Sequence, residues 1–187
     1  MKNKEWEGTE VDLSCAIQIV KYLEDVFCYS DKLLLRCVYT AVTELLSNIS
    51  HHAYAGKTIE STESLWKVAI YRQSNNFISI VIEDYGITIP LSIITKLNLK
   101  PDNGVEYNDT QLIEEAIYQK NTAFTEGRGQ GLKSITRNVD EGYIKNFVIR
   151  SRDGYFKYKE EPLISQLSDI DRSTGTSIEI IIPGVQK

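Results

Sequence analysis

No run of this sequence approaches the ~18 consecutive apolar residues that a bilayer-spanning helix requires. Residues 1–7 are polar and lack the apolar centre of a signal peptide. These absences predict a cytoplasmic protein with no membrane partner. Cysteine is scarce: Cys15, Cys28 and Cys37 are odd in number and lack metal-ligand spacing. All three are expected as small buried thiols in a reducing compartment. Positive charge is also short, with 21 Lys and Arg against 26 Asp and Glu, a net charge of −5 and no basic cluster. Binding to nucleic acid or an anionic lipid surface is driven by cationic neutralisation of phosphate, so both are excluded as partners. Internal repeats, low-complexity tracts and interdomain linkers are missing.

What remains is the composition of an ordinary globular protein, 42% apolar and 25% charged over 187 residues. That length suits one domain, 1–187, able to bury about 70% of its unfolded surface without staples. Asp12 reads as the N-cap of a helix to about residue 29, with Leu13, Ala16, Ile17, Val20, Leu23, Val26 and Phe27 as its apolar face. Ser30 or Asp31 caps a second helix over 31–54, which Gly56 ends. Leu34, Val38, Ala41, Val42, Leu45 and Ile49 form its buried stripe. A hairpin is expected over 65–72 and 77–83, with turn residues at 74–76. Pro90 then stops the strand.

Residues 91–131 are the least regular stretch, with a short helix expected over 110–120 and few apolar anchors, and are expected to form a mobile lid. A helix over 132–139, a weaker strand over 4–11, a hairpin over 143–150 and 155–159 turning at Asp153 and Gly154, and a last strand over 176–182 complete the reading. Two hairpins and amphipathic helices predict an α/β (α+β) two-layer sandwich, a mixed and largely antiparallel sheet covered on one face by helices.

Four short segments carry chemistry. Glu44, Asn48 and His52 stand at i, i+4 and i+8, which stacks a carboxylate, a carboxamide and an imidazole along one border of the buried stripe of an α-helix. Asp84-Tyr85-Gly86 follows an apolar strand and offers a carboxylate at a sheet end. Gly127-Arg128-Gly129-Gln130-Gly131 precedes a helix, where closely spaced glycines and free N–H groups make a phosphate cradle. Gly175-Thr176 precedes the last strand.

In this order and spacing the four segments resemble the boxes of the Bergerat-fold (GHKL) ATPases, the superfamily of type II topoisomerase ATPase domains, heat-shock chaperones, histidine kinases and MutL. Residues 43–54 resemble the N box, 82–90 the G1 box, 127–132 the G2 box, and 175–176 the closing Gly-Thr element. The resemblance implies a histidine-kinase-like ATP-binding domain that takes ATP and Mg²⁺. Asp84 would accept a hydrogen bond from the adenine amine, Gly86 would let the backbone pass the base, and Thr176 would support Asp84. Asn48 would be the protein's ligand to Mg²⁺, an ion that keeps several waters and phosphate oxygens. Gly127, Arg128, Gly129, Gly131 and Leu132 would hold the phosphates, His52 would contact phosphate or merely pack, and Glu44 would be the general base. Thr88 stands where the G1 box commonly has a second glycine, and it does not adopt positive φ cheaply.

Within the superfamily, the stretch Ala41-Val42-Thr43-Glu44, Asn48 and His52-Ala53-Tyr54 is most similar to the stand-alone anti-sigma-factor serine kinases, although the G1 and G2 boxes suit the sensor-kinase type equally. That likeness implies a regulatory protein partner, such as a sigma-like factor or its antagonist, and leaves a homodimer open. Two functions of different class follow: an ATPase or protein serine/threonine kinase, and a nucleotide-switched binding module without catalysis. A detached ATP-binding domain of a histidine kinase is the remaining alternative.

Overall fold

The computed structural model describes residues 2–54, 65–73, 76–99, 107–118, 130–159, 165, 167 and 175–185. Its elements run β1 (Lys2–Gly8), α1 (Ser14–Phe27), α2 (Lys32–Asn48), a π-helical turn (Ile49–Ala53), β2 (Trp66–Arg72), β3 (Phe77–Asp84), α3 (Ile89–Lys96), α4 (Asp109–Tyr118), α5 (Gln130–Asp140), β4 (Asn146–Ser151), β5 (Gly154–Lys157) and β6 (Thr176–Pro183). The strands form one six-stranded sheet in the order β1-β2-β3-β6-β4-β5. Every pairing is antiparallel. The expected α+β sandwich is therefore the fold, with an antiparallel rather than mixed sheet.

One face of the sheet meets the helices. Val68 and Ile70, Ile80 and Ile82, Phe147 and Ile149, and Ile178 and Ile180 point into a shared core with Leu23, Val38, Val42 and Leu46. Period-two alternation puts Val81, Glu179 and Val148 together in register on the opposite face. All three are buried there, and Ser165 Oγ donates to Glu179 Oε2 at 2.6 Å.

The helical starts follow the side chains that cap them. Asp31 accepts hydrogen bonds from the N–H groups of Leu33 and Leu34 and so begins α2. The start of α1 departs from this: its N-cap is Leu13, which makes no side-chain cap bond, while Asp12, expected in that place, stands one residue earlier and accepts from the Ser14 N–H and hydroxyl. The apolar face expected for α1 holds at Ala16, Val20, Leu23 and Phe27 and fails elsewhere: Cys15 and Ile19 are buried, whereas Leu13, Ile17 and Val26 are exposed. Seven apolar positions cover too wide an arc for one helix to bury, and the smaller Cys15 and Ala16 let α1 lie close to its neighbours. The cysteines also diverge. Cys15 is buried, and burial pushes its thiol up to about 12. Cys37 is half-buried, and Cys28 is exposed at the left-handed C-cap of α1, with φ of 59°.

Within the stretch expected as a loose lid, the described residues are anchored. Thr88 caps α3, and Pro90 sits in its first turn, where the missing N–H costs nothing. Pro90 thus starts a helix instead of only ending a strand. Ile113 and Ile117 of α4 are wholly buried in the core. Asp109 accepts from the Asp153 N–H at 3.1 Å, and this ties α4 to the β4–β5 turn. That turn falls at Arg152 and Asp153, one residue early, with Arg152 at φ 55°. The C-cap expected at Gly56 lies outside the described residues. No helix among the described residues is long and apolar enough to cross a membrane.

Candidate functional site

The described residues of the four motif segments converge at one end of the sheet, and Gly86, Gly131 and Gly175 mark the junctions. α5 runs antiparallel along α2, with Asn138 Oδ1 accepting from the Cys37 thiol at 3.5 Å near one end. Near the other end Gly131 faces the motif pair: a Cβ built on it would lie 3.0 Å from Glu44 Oε2 and 3.5 Å from Asn48 Nδ2. Glu44 and Asn48 are themselves half-buried. The first turn of α5 therefore lies directly over a carboxylate and a carboxamide, and any side chain at 131 would intrude on them. Leu132, beside it, packs into the hydrophobic core.

The α-helical period on which a three-residue line depends stops at Asn48. Ile49–Ala53 is π-helical, a wider turn of the kind found disproportionately at functional sites. The regular i, i+4 progression thus carries Glu44 and Asn48 onto one border and does not extend as an α-helix to position 52. The end of this turn grips the second motif. Ile87 N–H donates to the Ala53 carbonyl at 2.7 Å, and a Cβ on Gly86 would sit 2.2 Å from that same oxygen. Gly86 is thus required by contact with the helix end. Tyr54 continues the junction, donating to the Leu65 carbonyl and accepting from the Tyr85 N–H at 3.1 Å. Burial pushes its phenol up to about 12.

Asp84 closes β3 and is 7% exposed. Its Oδ1 accepts from the Gly86 N–H at 2.9 Å. Burial pushes its carboxyl up to about 7, against the opposing pull of that hydrogen bond. Its register partner on β6 is Thr176. The Thr176 hydroxyl lies 2.8 Å from Ser151 Oγ, on the next strand. Gly175, at φ 85°, donates its N–H to the Gly86 carbonyl at 3.1 Å, and a Cβ there would lie 2.0 Å from the Asp84 carbonyl oxygen. Thr88 has φ of −70° and an extended backbone, so position 88 needs no left-handed residue such as glycine. Its hydroxyl accepts from the Leu91 N–H and caps α3.

Glu44, Asn48, Asp84, Gly86, Gly131 and Thr176 are thus gathered around adjoining elements. Gly127, Arg128 and Gly129 lie outside the described residues, as does the side chain of His52. Ser151 was not marked by any motif. Its only sequence signal is its place at the end of an apolar strand, which becomes informative once register sets it opposite Thr176. Among the described residues, no group of three or more His, Cys, Asp or Glu side chains stands ready to hold a metal ion.

No protein-family model matches this chain, and no curated protein matches it. Among solved structures, a chain of the SiaB–SiaC complex from Pseudomonas aeruginosa aligns with 97% of this chain and 89% of its own length. The two share 15% sequence identity with a TM-score of 0.46. That score is too low to establish a shared fold.

Proposed function

We propose that this chain is a stand-alone GHKL-type protein that binds Mg-ATP and uses Glu44 to direct the γ-phosphate to water or to a serine or threonine of a regulatory protein partner. The observation supporting this reading is the convergence itself: residues about ninety positions apart in the sequence meet, Gly131 on the Glu44–Asn48 pair and Gly175 on Asp84, whose carboxylate also accepts from the Gly86 N–H. Structural turns alone would not bring the acid–amide pair beneath a helix start.

Asp84, at the base end, would take the adenine amine, and the start of α5 would face the phosphates with its free N–H groups. The donor set fits magnesium. With no three-ligand protein cluster among the described residues, a cation there would be held by the Asn48 carboxamide oxygen together with phosphate oxygens and water. The space that a Cβ at 131 would fill lies beside Asn48. When bound, the ion would neutralise charge on the phosphates. Glu44 would take the proton from the attacking hydroxyl as its oxygen bonds to the γ-phosphorus, while the bond from that phosphorus to the bridging oxygen breaks and ADP leaves.

Two measurements test this. Mg-ATP at ~100 times its dissociation constant should add about 2.7 kcal/mol of stability, a rise of roughly 5–10 °C in Tm for a chain of this size, with a much smaller effect from Mg-GTP. No shift with ATP would return the glycines to being turns. Glu44→Ala should lower phosphate release, or labelling of a protein in a cell lysate, by about 10²–10⁴-fold, the usual worth of a general base. Mg-ATP affinity should change much less. Undiminished turnover would remove catalysis from Glu44 and favour the switch-module function.

A further inference from the structure

Ser151 closes β4 and is 1% exposed. Asp84 is paired in register with Thr176, and Thr176 with Ser151. Two residues back from Asp84 and Ser151, and two on from Thr176, Ile82, Ile149 and Ile178 all belong to the core, so alternation places the three polar residues in one row on the helix-facing side of β3, β6 and β4. Ser151 Oγ accepts from the Ile89 N–H at 3.0 Å. It also lies 2.8 Å from Thr176 Oγ1 and 3.4 Å from the Gly175 carbonyl.

A serine hydroxyl has one hydrogen to give. The 2.8 Å neighbour is at the usual distance for a hydroxyl–oxygen bond, and the 3.4 Å carbonyl is beyond it. Either hydroxyl can give the hydrogen of the 2.8 Å bond; when Ser151 gives it, the Thr176 hydrogen is left to point out of the row. We propose that Ser151 is a specificity-determining residue, which by donating to Thr176 makes that threonine a donor beside the acceptor Asp84. The pair then matches a purine edge that offers an exocyclic amine next to an unprotonated ring nitrogen, as adenine does. Guanine presents a carbonyl and a ring N–H at those places, the wrong partner twice over. This rests on the adenine-nucleotide reading above and adds to it the residue that sets the direction of one hydrogen bond. The Ile89 contact also ties that residue to the first turn of α3.

The test compares Mg-ATP with its 1-deaza analogue, which keeps the amine and lacks the ring acceptor, by calorimetry on the full chain. Wild type should bind ATP about tenfold or more tightly than the analogue. Ser151→Ala should erase most of that preference, and Thr176→Val should do the same, while Thr176→Ser should retain it. Should Ser151→Ala not fold, the wild-type comparison and the Thr176 pair still decide the matter. Equal wild-type affinity for the two nucleotides, or an undiminished preference in Ser151→Ala, would overturn the proposal and leave nucleotide binding intact. Failure of wild type to bind ATP at all would overturn the nucleotide reading and the proposal with it.

Discussion

Asp84→Asn should make the protein more stable and weaken its binding of Mg-ATP by about one to two orders of magnitude. The carboxyl is 7% exposed and has risen from its ordinary value of 3.8 to about 7 because burial disfavours its charge. A carboxyl whose folded value is raised lends relative stability that is full below about pH 4 and lost progressively as pH rises to about 7. A rise of about three units corresponds to about 4 kcal/mol between those limits, at 1.36 kcal/mol per unit. Asparagine has the same shape, carries no charge and still offers an oxygen to the Gly86 N–H. At pH 8 the variant should therefore unfold at higher urea than wild type, by on the order of 2 kcal/mol or more, with the gap closing towards pH 4. With its oxygen turned to Gly86, the new amide would present N–H to the adenine amine, donor against donor. Losing a hydrogen bond to a charged group at a buried site costs about 1.5–3 kcal/mol, so Mg-ATP affinity should drop by about 10- to 100-fold. If the variant proves less stable than wild type at pH 8, the buried charge is not the burden supposed. If it keeps its ATP affinity, Asp84 is not the base contact.

Gly175→Ala should cost a large part of the folding free energy. The residue has φ of 85°, and its Cβ would meet the Asp84 carbonyl oxygen at 2.0 Å, a backbone atom that cannot swing aside. Gly142 provides an internal comparison, since its φ of 84° is nearly the same and a Cβ there would meet nothing within 4 Å. Gly142→Ala isolates the conformational term and should cost about 1–2 kcal/mol. Gly175→Ala carries that term and the clash, and should cost about 4 kcal/mol or more, a large part of a typical domain's 5–15 kcal/mol. Urea unfolding of the two variants side by side checks this. Equal losses would mean that the Gly175 junction with β3 is slack, and the close docking of the last motif on Asp84 would have to be given up.

The architecture was legible where one residue pattern decides one element. Asp31 ahead of an apolar stripe marks α2, and a β-branched run broken at 74–76 marks the β2–β3 hairpin. The acid–amide pair and the glycines could be named from spacing because each must sit at a helix face or a chain junction. Three features escaped for physical reasons. The phase of α1 depends on what packs beneath it, so exposed Ile17 and buried Cys15 cannot be told apart by apolarity. The π turn at 49–53 has no residue signature, and the Ile87 N–H that its Ala53 carbonyl receives comes from a segment more than thirty residues on. Ser151 acquires meaning only through strand order, since β4 and β6 are distant in sequence until the sheet pairs them. The helix at 89–96 is a different matter. Thr88 and Pro90 are an N-cap and first-turn proline of the ordinary sort, masked by the habit of treating proline as a stop.

The Ala53 carbonyl receives the Ile87 N–H and leaves no space for a side chain on Gly86. The helix bearing Glu44 and Asn48 is thereby welded to the segment that follows Asp84. A bound molecule spanning both would be sensed as one object: strain introduced at its phosphate end would be felt at its base, and a truncated ligand would forfeit more than the contacts it lacks.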